Sequence, residues 1–170
     1  MLIDGCPHSF AELTKAVLPA YMRTLRSAIN APYHASQFSL PRKGPVAIAR
    51  ELKMTGDVSG SYVLIEKQKP IYVGISRSVL SRLRQHFTGK THFDASLVYQ
   101  IAQRRRPTPG DRSKVMKNPE FQREFASAQT YLRSLNVAFV EIQNPLELYV
   151  FEAYAAVELG THEWNTFRTH

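Results

Sequence analysis

A single cysteine, Cys6, in 170 residues excludes an internal disulfide and any cysteine-rich zinc module. No apolar run approaches the roughly 20 residues that a membrane span needs. The opening MLIDGCPHSF lacks the charged-then-apolar build of a signal peptide, so the expectation is a cytoplasmic protein with no membrane partner. His8, His34, His92, His162 and His170 are scattered without metal-ligand spacing, and each reads as an ordinary surface or core histidine. Residues 1–59 show no chemistry-bearing motif. Tyr21, Arg23, Arg26, Arg42 and Lys43 offer contacts to nucleic acid there, but a helical pair packed against the rest of the chain accounts for them more simply. Neither an aromatic RNA-binding signature nor a separate sequence-reading domain is visible.

Positive charge is plentiful, and it is unevenly placed. The net charge is +8 with an apolar fraction of 44%, ordinary for a globular chain of a size that holds one well-packed domain. Residues 75–117 carry 10 basic and 2 acidic side chains, whereas residues 118–170 carry 3 and 7. A basic stretch of that kind suits a surface that tracks phosphates. Its members Arg77, Arg84, Lys90, Arg104, Arg105, Arg106, Arg112, Lys114 and Lys117 are the candidate nucleic-acid contacts. Arg104 to Arg106 before Pro107 also fit a solvated helix end with charge favourable to the dipole; the further cations beyond it favour the phosphate-contacting reading.

Gly60 to Phe87 organises the chain. Two apolar runs, Tyr62–Ile65 and Ile71–Val73, flank a polar link and predict a β-hairpin. A turn centred on Lys67 places Tyr62 and Tyr72 opposite each other. After Gly74 the period changes: Val79, Leu80, Leu83 and Phe87 recur at helical spacing, with Ser76 or Ser78 as the N-cap. At about 100° per residue, Arg82 and His86 fall on one flank of the apolar stripe and Arg84 on the other.

Elsewhere the signals are mostly helical. Ser9-Phe10-Ala11-Glu12 fits a capping box and opens a helix to about Asn30, with a break or kink near Leu18 caused by Pro19. A short helix follows over Val46 to Met54, another over Ala95 to Gln103, and Asn118-Pro119 starts one that runs to about Leu135. Val137 to Ile142 reads as a third strand. Asn144-Pro145 then opens a helix, Leu146 to Leu159, that is apolar nearly all round and so is expected to be buried, with Glu147 and Glu158 reaching water near its ends. Glu152 sits in the middle, where a carboxylate is costly unless something pairs with it. A buried salt bridge and a metal ligand both satisfy that need.

Gly60-Ser61-Tyr62, Tyr72-Val73-Gly74, Arg82 with His86 four residues on, then Glu152 in a helix and Asn165 beyond it resemble the GIY-YIG nucleases over Gly60 to His170. Two departures stand out. Ser61 replaces a branched apolar residue, and Ile75 stands where some members carry a lysine. The resemblance implies an α/β fold: a small three-stranded, mainly antiparallel sheet flanked by helices (residues 60–170); the helical signals before it make residues 1–59 an α-helical N-terminal extension. It implies a metal-dependent endonuclease hydrolysing phosphodiester bonds in DNA. Tyr62 would accept the attacking water's proton, with His86 as a relay, and Tyr72 would orient water or phosphate. Arg82 would stabilise the phosphate, Glu152 would hold one Mg²⁺ or Mn²⁺, and the Asn165 amide would tie the site's loops or the phosphate in place. An RNA-cleaving relative and a non-catalytic nucleic-acid-binding module are the alternatives, although a binding module has no need for Glu152.

Overall fold

The computed structural model describes residues 2–167; His170 and the far end of the expected 60–170 domain lie outside them. In chain order the first elements are α1 (Phe10–Glu12), α2 (Leu18–Asn30), β1 (Tyr33–His34), α3 (Pro45–Glu51), β2 (Gly60–Glu66) and β3 (Lys69–Ser76). After them come α4 (Val79–Thr88), α5 (Ser96–Arg105), α6 (Arg112–Val115), α7 (Pro119–Arg133), β4 (Asn136–Glu141) and α8 (Pro145–Leu159). These elements divide between two compact units: Met1–Tyr33, Asp57–Val79 and Asn136–His170 make unit 1, and His34–Gly56 with Leu80–Leu135 make unit 2.

In unit 1 the capping box forms: the Ser9 hydroxyl accepts from the Glu12 N–H while the Glu12 carboxylate accepts from the Ser9 N–H. The predicted break near Leu18 is instead a π-turn over Leu13–Val17, in which the Leu18 N–H donates to the Leu13 carbonyl. Widening the helix just before Pro19 gives room to a ring that would otherwise meet the carbonyl four residues back. The helix then runs on, and Leu18, Met22 and Leu25 face one core with Val63, Val73, Val140, Leu148 and Phe151. The chain from Cys6 to Ile29 thus shares the hydrophobic core of the sheet and α8.

The hairpin is present, with a different register from the expected one. Lys67 and Gln68 both have positive φ, 44° and 69°, the pattern of a two-residue type I′ turn. A bulge between Leu64 and Ile65 shifts the ladder, so Tyr62 pairs with Gly74 and Leu64 pairs with Tyr72. The two tyrosines are therefore diagonal rather than opposite. β4 pairs antiparallel with β2, and the sheet order is β1-β4-β2-β3. The fourth strand, β1, has only two residues and is too short to leave a period-2 signal; Tyr33 in it stacks on Phe139, with centroids 5.6 Å apart.

Two expectations for α8 need correction. The helix buries Leu148, Phe151, Ala155 and Ala156, but Tyr149 and Val157 on its other side are exposed. Glu147 does not reach water: it is 4% exposed and accepts a 2.6 Å hydrogen bond from the Tyr21 hydroxyl. Cys6 Sγ and His8 Nε2 each lie 3.7 Å from its carboxylate. Burial and that bond push the Tyr21 hydroxyl up to about 12. Glu158 does reach solvent and pairs with Arg26 at 3.1 Å.

Unit 2 is helical. α5 and α7 pack on each other through Leu97, Val98 and Ile101 and through Phe121, Phe125, Ala128 and Leu132, all buried. Asn118 caps α7 as expected, its side chain accepting from the Glu120 and Phe121 N–H groups.

Candidate active site

In unit 1, the paired strands β2 and β3 bring two candidate residues together, Tyr62 from β2 and Tyr72 from β3. Tyr62 and Tyr72 sit on one face with ring centroids 6.2 Å apart. Gly74, opposite Tyr62, is where the ring lies against the backbone: a β-carbon there would be 2.4 Å from Tyr62 Cζ and 2.5 Å from its Oη. That closeness explains the glycine of Tyr72-Val73-Gly74 without any appeal to backbone freedom. Tyr62 is 1% exposed and Tyr72 is half-buried, so the second phenol is the more open. The departure at Ser61 is accommodated by a hydrogen bond, since its buried hydroxyl donates to the Gly74 carbonyl at 3.2 Å.

β3 is an edge strand, and Asn165 covers part of that edge. Its Oδ1 accepts from the Val73 N–H at 2.8 Å, and its Nδ2 donates to the Val73 carbonyl at 2.7 Å. The side-chain amide thus acts as a one-residue strand, fixing the segment between Tyr72 and Gly74 and satisfying two backbone groups of the kind that cost free energy when left bare.

Glu152 projects from the middle of α8, half-buried. Among the described residues it has neither a hydrogen-bond nor an ion-pair partner, and burial alone raises its carboxyl above the usual range. The salt-bridge explanation for a mid-helix carboxylate therefore has no partner among the described residues. A lone carboxylate of this sort suits a hard divalent cation that keeps most of its waters; the described residues contain no group of three or more His, Cys, Asp or Glu placed to hold a metal. One turn earlier on α8, Leu148 and Tyr149 line a cavity of about 390 Å³ together with Ser76 and Arg77. Tyr149 was not anticipated as a site residue, because its ring only added to the apolar count of α8.

In unit 2, α4 places Arg82 and His86 one turn apart, but differently from expectation. His86 is fully buried rather than displayed beside the guanidinium. Burial, with a smaller contribution from the Arg82 charge, lowers its pKa to about 3, so the imidazole is neutral across the physiological range. Arg82 is held by neutral oxygens: the Asp94 carbonyl at 2.9 Å, Ser96 Oγ at 3.0 Å and Gln85 Oε1 at 3.3 Å. No carboxylate among these contacts cancels its charge, which stays available to an anion. At the start of α4, the Ser76 hydroxyl accepts from the Ser78 N–H.

The basic stretch is heterogeneous. Lys90, Arg112, Lys114 and Lys117, like Arg77 in unit 1, are exposed. Arg105 is 3.5 Å from Glu124 and lies over the Tyr131 ring at 4.9 Å, while Arg106 pairs with Glu120. Their charges are thus engaged with α7, alongside exposed Arg104. Arg84 is half-buried and donates to the Leu40 carbonyl at 3.5 Å, a contact that holds a loop.

Among family models, the GIY-YIG catalytic domain matches residues 58–113. The matched segment contains Tyr62, Tyr72, Gly74, Arg82 and His86 and ends before Glu152 and Asn165. No curated protein and no solved structure matches the chain.

Proposed function

We propose that this chain, which carries a GIY-YIG catalytic domain at residues 58–113, is a metal-dependent endonuclease that hydrolyses phosphodiester bonds in DNA. The observation that carries the reading is Glu152: a half-buried carboxylate in an apolar helix with no partner among the described residues. A structural carboxylate would be expected to have one. Glu152 is a hard carboxylate donor of the kind Mg²⁺ or Mn²⁺ takes; it would hold the ion, which when bound would supply positive charge for the leaving 3′ oxygen. Tyr62, acting as its phenolate, takes the proton of the attacking water and becomes the neutral phenol, and the more open Tyr72 orients that water or the scissile phosphate. Arg82, with its charge uncancelled, stabilises the phosphate in the transition state. His86 is too weak a base, at about 3, to keep a proton; it serves as a neutral hydrogen-bonding group that fixes the site. Asn165 holds β3, and with it both ends of the Tyr72-Val73-Gly74 segment.

The test is Glu152→Gln, which keeps the shape and removes the charge. Cleavage of plasmid DNA should be lost almost completely, while the metal-free variant melts at the same temperature as the native protein or higher. Mg²⁺ or Mn²⁺ should raise the melting temperature of the native protein only, as binding to the folded state requires. If instead Glu152 balances a buried cation, the variant should lose roughly 3–5 kcal/mol without metal, and that loss would remove Glu152 as the metal ligand.

A further inference from the structure

Outside the residues invoked for hydrolysis, unit 2 contains a cavity of about 440 Å³, within the range of small-ligand sites. It lies between the loop after α4, the end of α6 and one face of α7. We infer that this cavity binds an unstacked nucleotide of a single-stranded nucleic-acid segment, with Phe93 as the stacking surface and Lys90 and Lys117 as the phosphate contacts. The inference rests on the nucleic-acid reading above and names a substrate feature that hydrolysis alone does not require.

Phe93 is 76% exposed, an unusual place for a phenylalanine. It is the outer end of an aromatic ladder: Phe121 to Tyr99 at 5.3 Å, Tyr99 to His92 at 5.8 Å, His92 to Phe93 at 4.0 Å. The inner three rings are buried, so the outer ring is backed by a packed cluster of rings tilted at 37° to 55° to one another. A base laid on Phe93 would add one more ring to it. The charge around the cavity fits the same ligand. Lys90 and Lys117 line it, and no carboxylate is among its described lining residues. The walls are also tied in place. Gln129 on α7 donates to the Gly89 carbonyl at 2.9 Å, and Gln122 donates to the Met116 carbonyl at 3.0 Å. A β-carbon on Gly89 would be 2.5 Å from the Gln85 carbonyl oxygen, so the loop is drawn close enough that only glycine fits. A preorganised aromatic face with flanking lysines is the arrangement by which proteins hold single strands without reading sequence.

The experiment uses the full chain without divalent metal, a single-stranded oligonucleotide carrying 2-aminopurine, and a blunt duplex of the same sequence. Binding of the single strand should quench the 2-aminopurine fluorescence. Phe93→Ala should abolish the quenching and weaken single-strand affinity about 5- to 150-fold, leave duplex affinity unchanged, and melt as the native protein does. Phe93→Trp should keep both affinity and quenching. Lys90→Ala and Lys117→Ala should each flatten the slope of log K against log salt by about 0.7. Three results would overturn the inference: single-strand affinity unaltered in Phe93→Ala, an equal loss on the duplex, or a mononucleotide binding as tightly as the strand. Metal-dependent cleavage of duplex by the native protein is scored separately. Its persistence with an inert Phe93 sinks the pocket alone, and its absence with an active Phe93 sinks the nuclease reading alone.

Discussion

Gly74→Ala tests the closest packing on β3, and the sign of its effect is the informative part. Giving a β-carbon to a glycine inside a strand ordinarily stabilises by roughly 0.5–1 kcal/mol. Here that carbon would lie 2.4 Å from Tyr62 Cζ and 2.5 Å from Oη, whereas carbon atoms rest about 3.5–4.0 Å apart. The ring must retreat by more than about 1 Å, and at 1% exposure it has no open solvent to move into. Overpacking of this kind costs about 1–3 kcal/mol, which outweighs the gain. A net loss of about 1–2 kcal/mol is expected, which for a chain of 170 residues lowers Tm by about 2–8 °C. Gly56→Ala is the control, because nothing lies within 4 Å of its β-carbon; it should be neutral or gain up to about 1 kcal/mol. In a Tyr62→Val background the obstacle is gone, so Gly74→Ala should become neutral or stabilising, a coupling that thermal melts of the four proteins measure directly. Displacing the Tyr62 hydroxyl should also slow single-turnover cleavage by about a hundredfold, the usual cost of a 1 Å misplacement. An equal loss in both backgrounds would refute the packing account, and so would no loss in either.

Two further outcomes follow from single side chains. Asn165→Ala removes both partners of the Val73 backbone and should cost roughly 1–3 kcal/mol; Asn165→Asp keeps an acceptor for the Val73 N–H but sets a charge against the Val73 carbonyl, so it should not restore the Tm. For His86 the folded pKa of about 3 lies below the ordinary 6.5, so the unfolded chain binds the extra proton. Its stabilising contribution is complete above about pH 6.5 and falls as pH drops towards 3, by up to about 1.4 kcal/mol per pH unit. Urea melts from pH 7 to 4 should show a shallower decline for His86→Gln than for the native protein, and matching declines would show that His86 is not the group responsible.

The parts of this molecule legible in its sequence are those whose causes are local. The hairpin, the Ser9 capping box and the Asn-Pro starts of α7 and α8 depend on residues within a few positions of one another, and each is present. The tyrosine register went astray because the turn uses Lys67 and Gln68 at positive φ, where glycine or asparagine would have announced it, and because no composition signal marks the bulge. Glu147 is the more instructive failure. Near a helix end, a glutamate ordinarily reaches water; this one is buried by Tyr21, 126 positions away, and by Cys6, 141 positions away. Glu152, five residues on, presented the opposite case: its cost was visible from the apolar run around it, while the absence of a partner among the described residues needed coordinates. Two carboxylates on one helix thus divide by what surrounds them. The first is satisfied by a tyrosine hydroxyl and fastens Tyr21 on α2, with Cys6 beside it, to α8. The second remains unsatisfied by the described residues, and on the proposed reading a bound cation would offset the free energy of desolvating it.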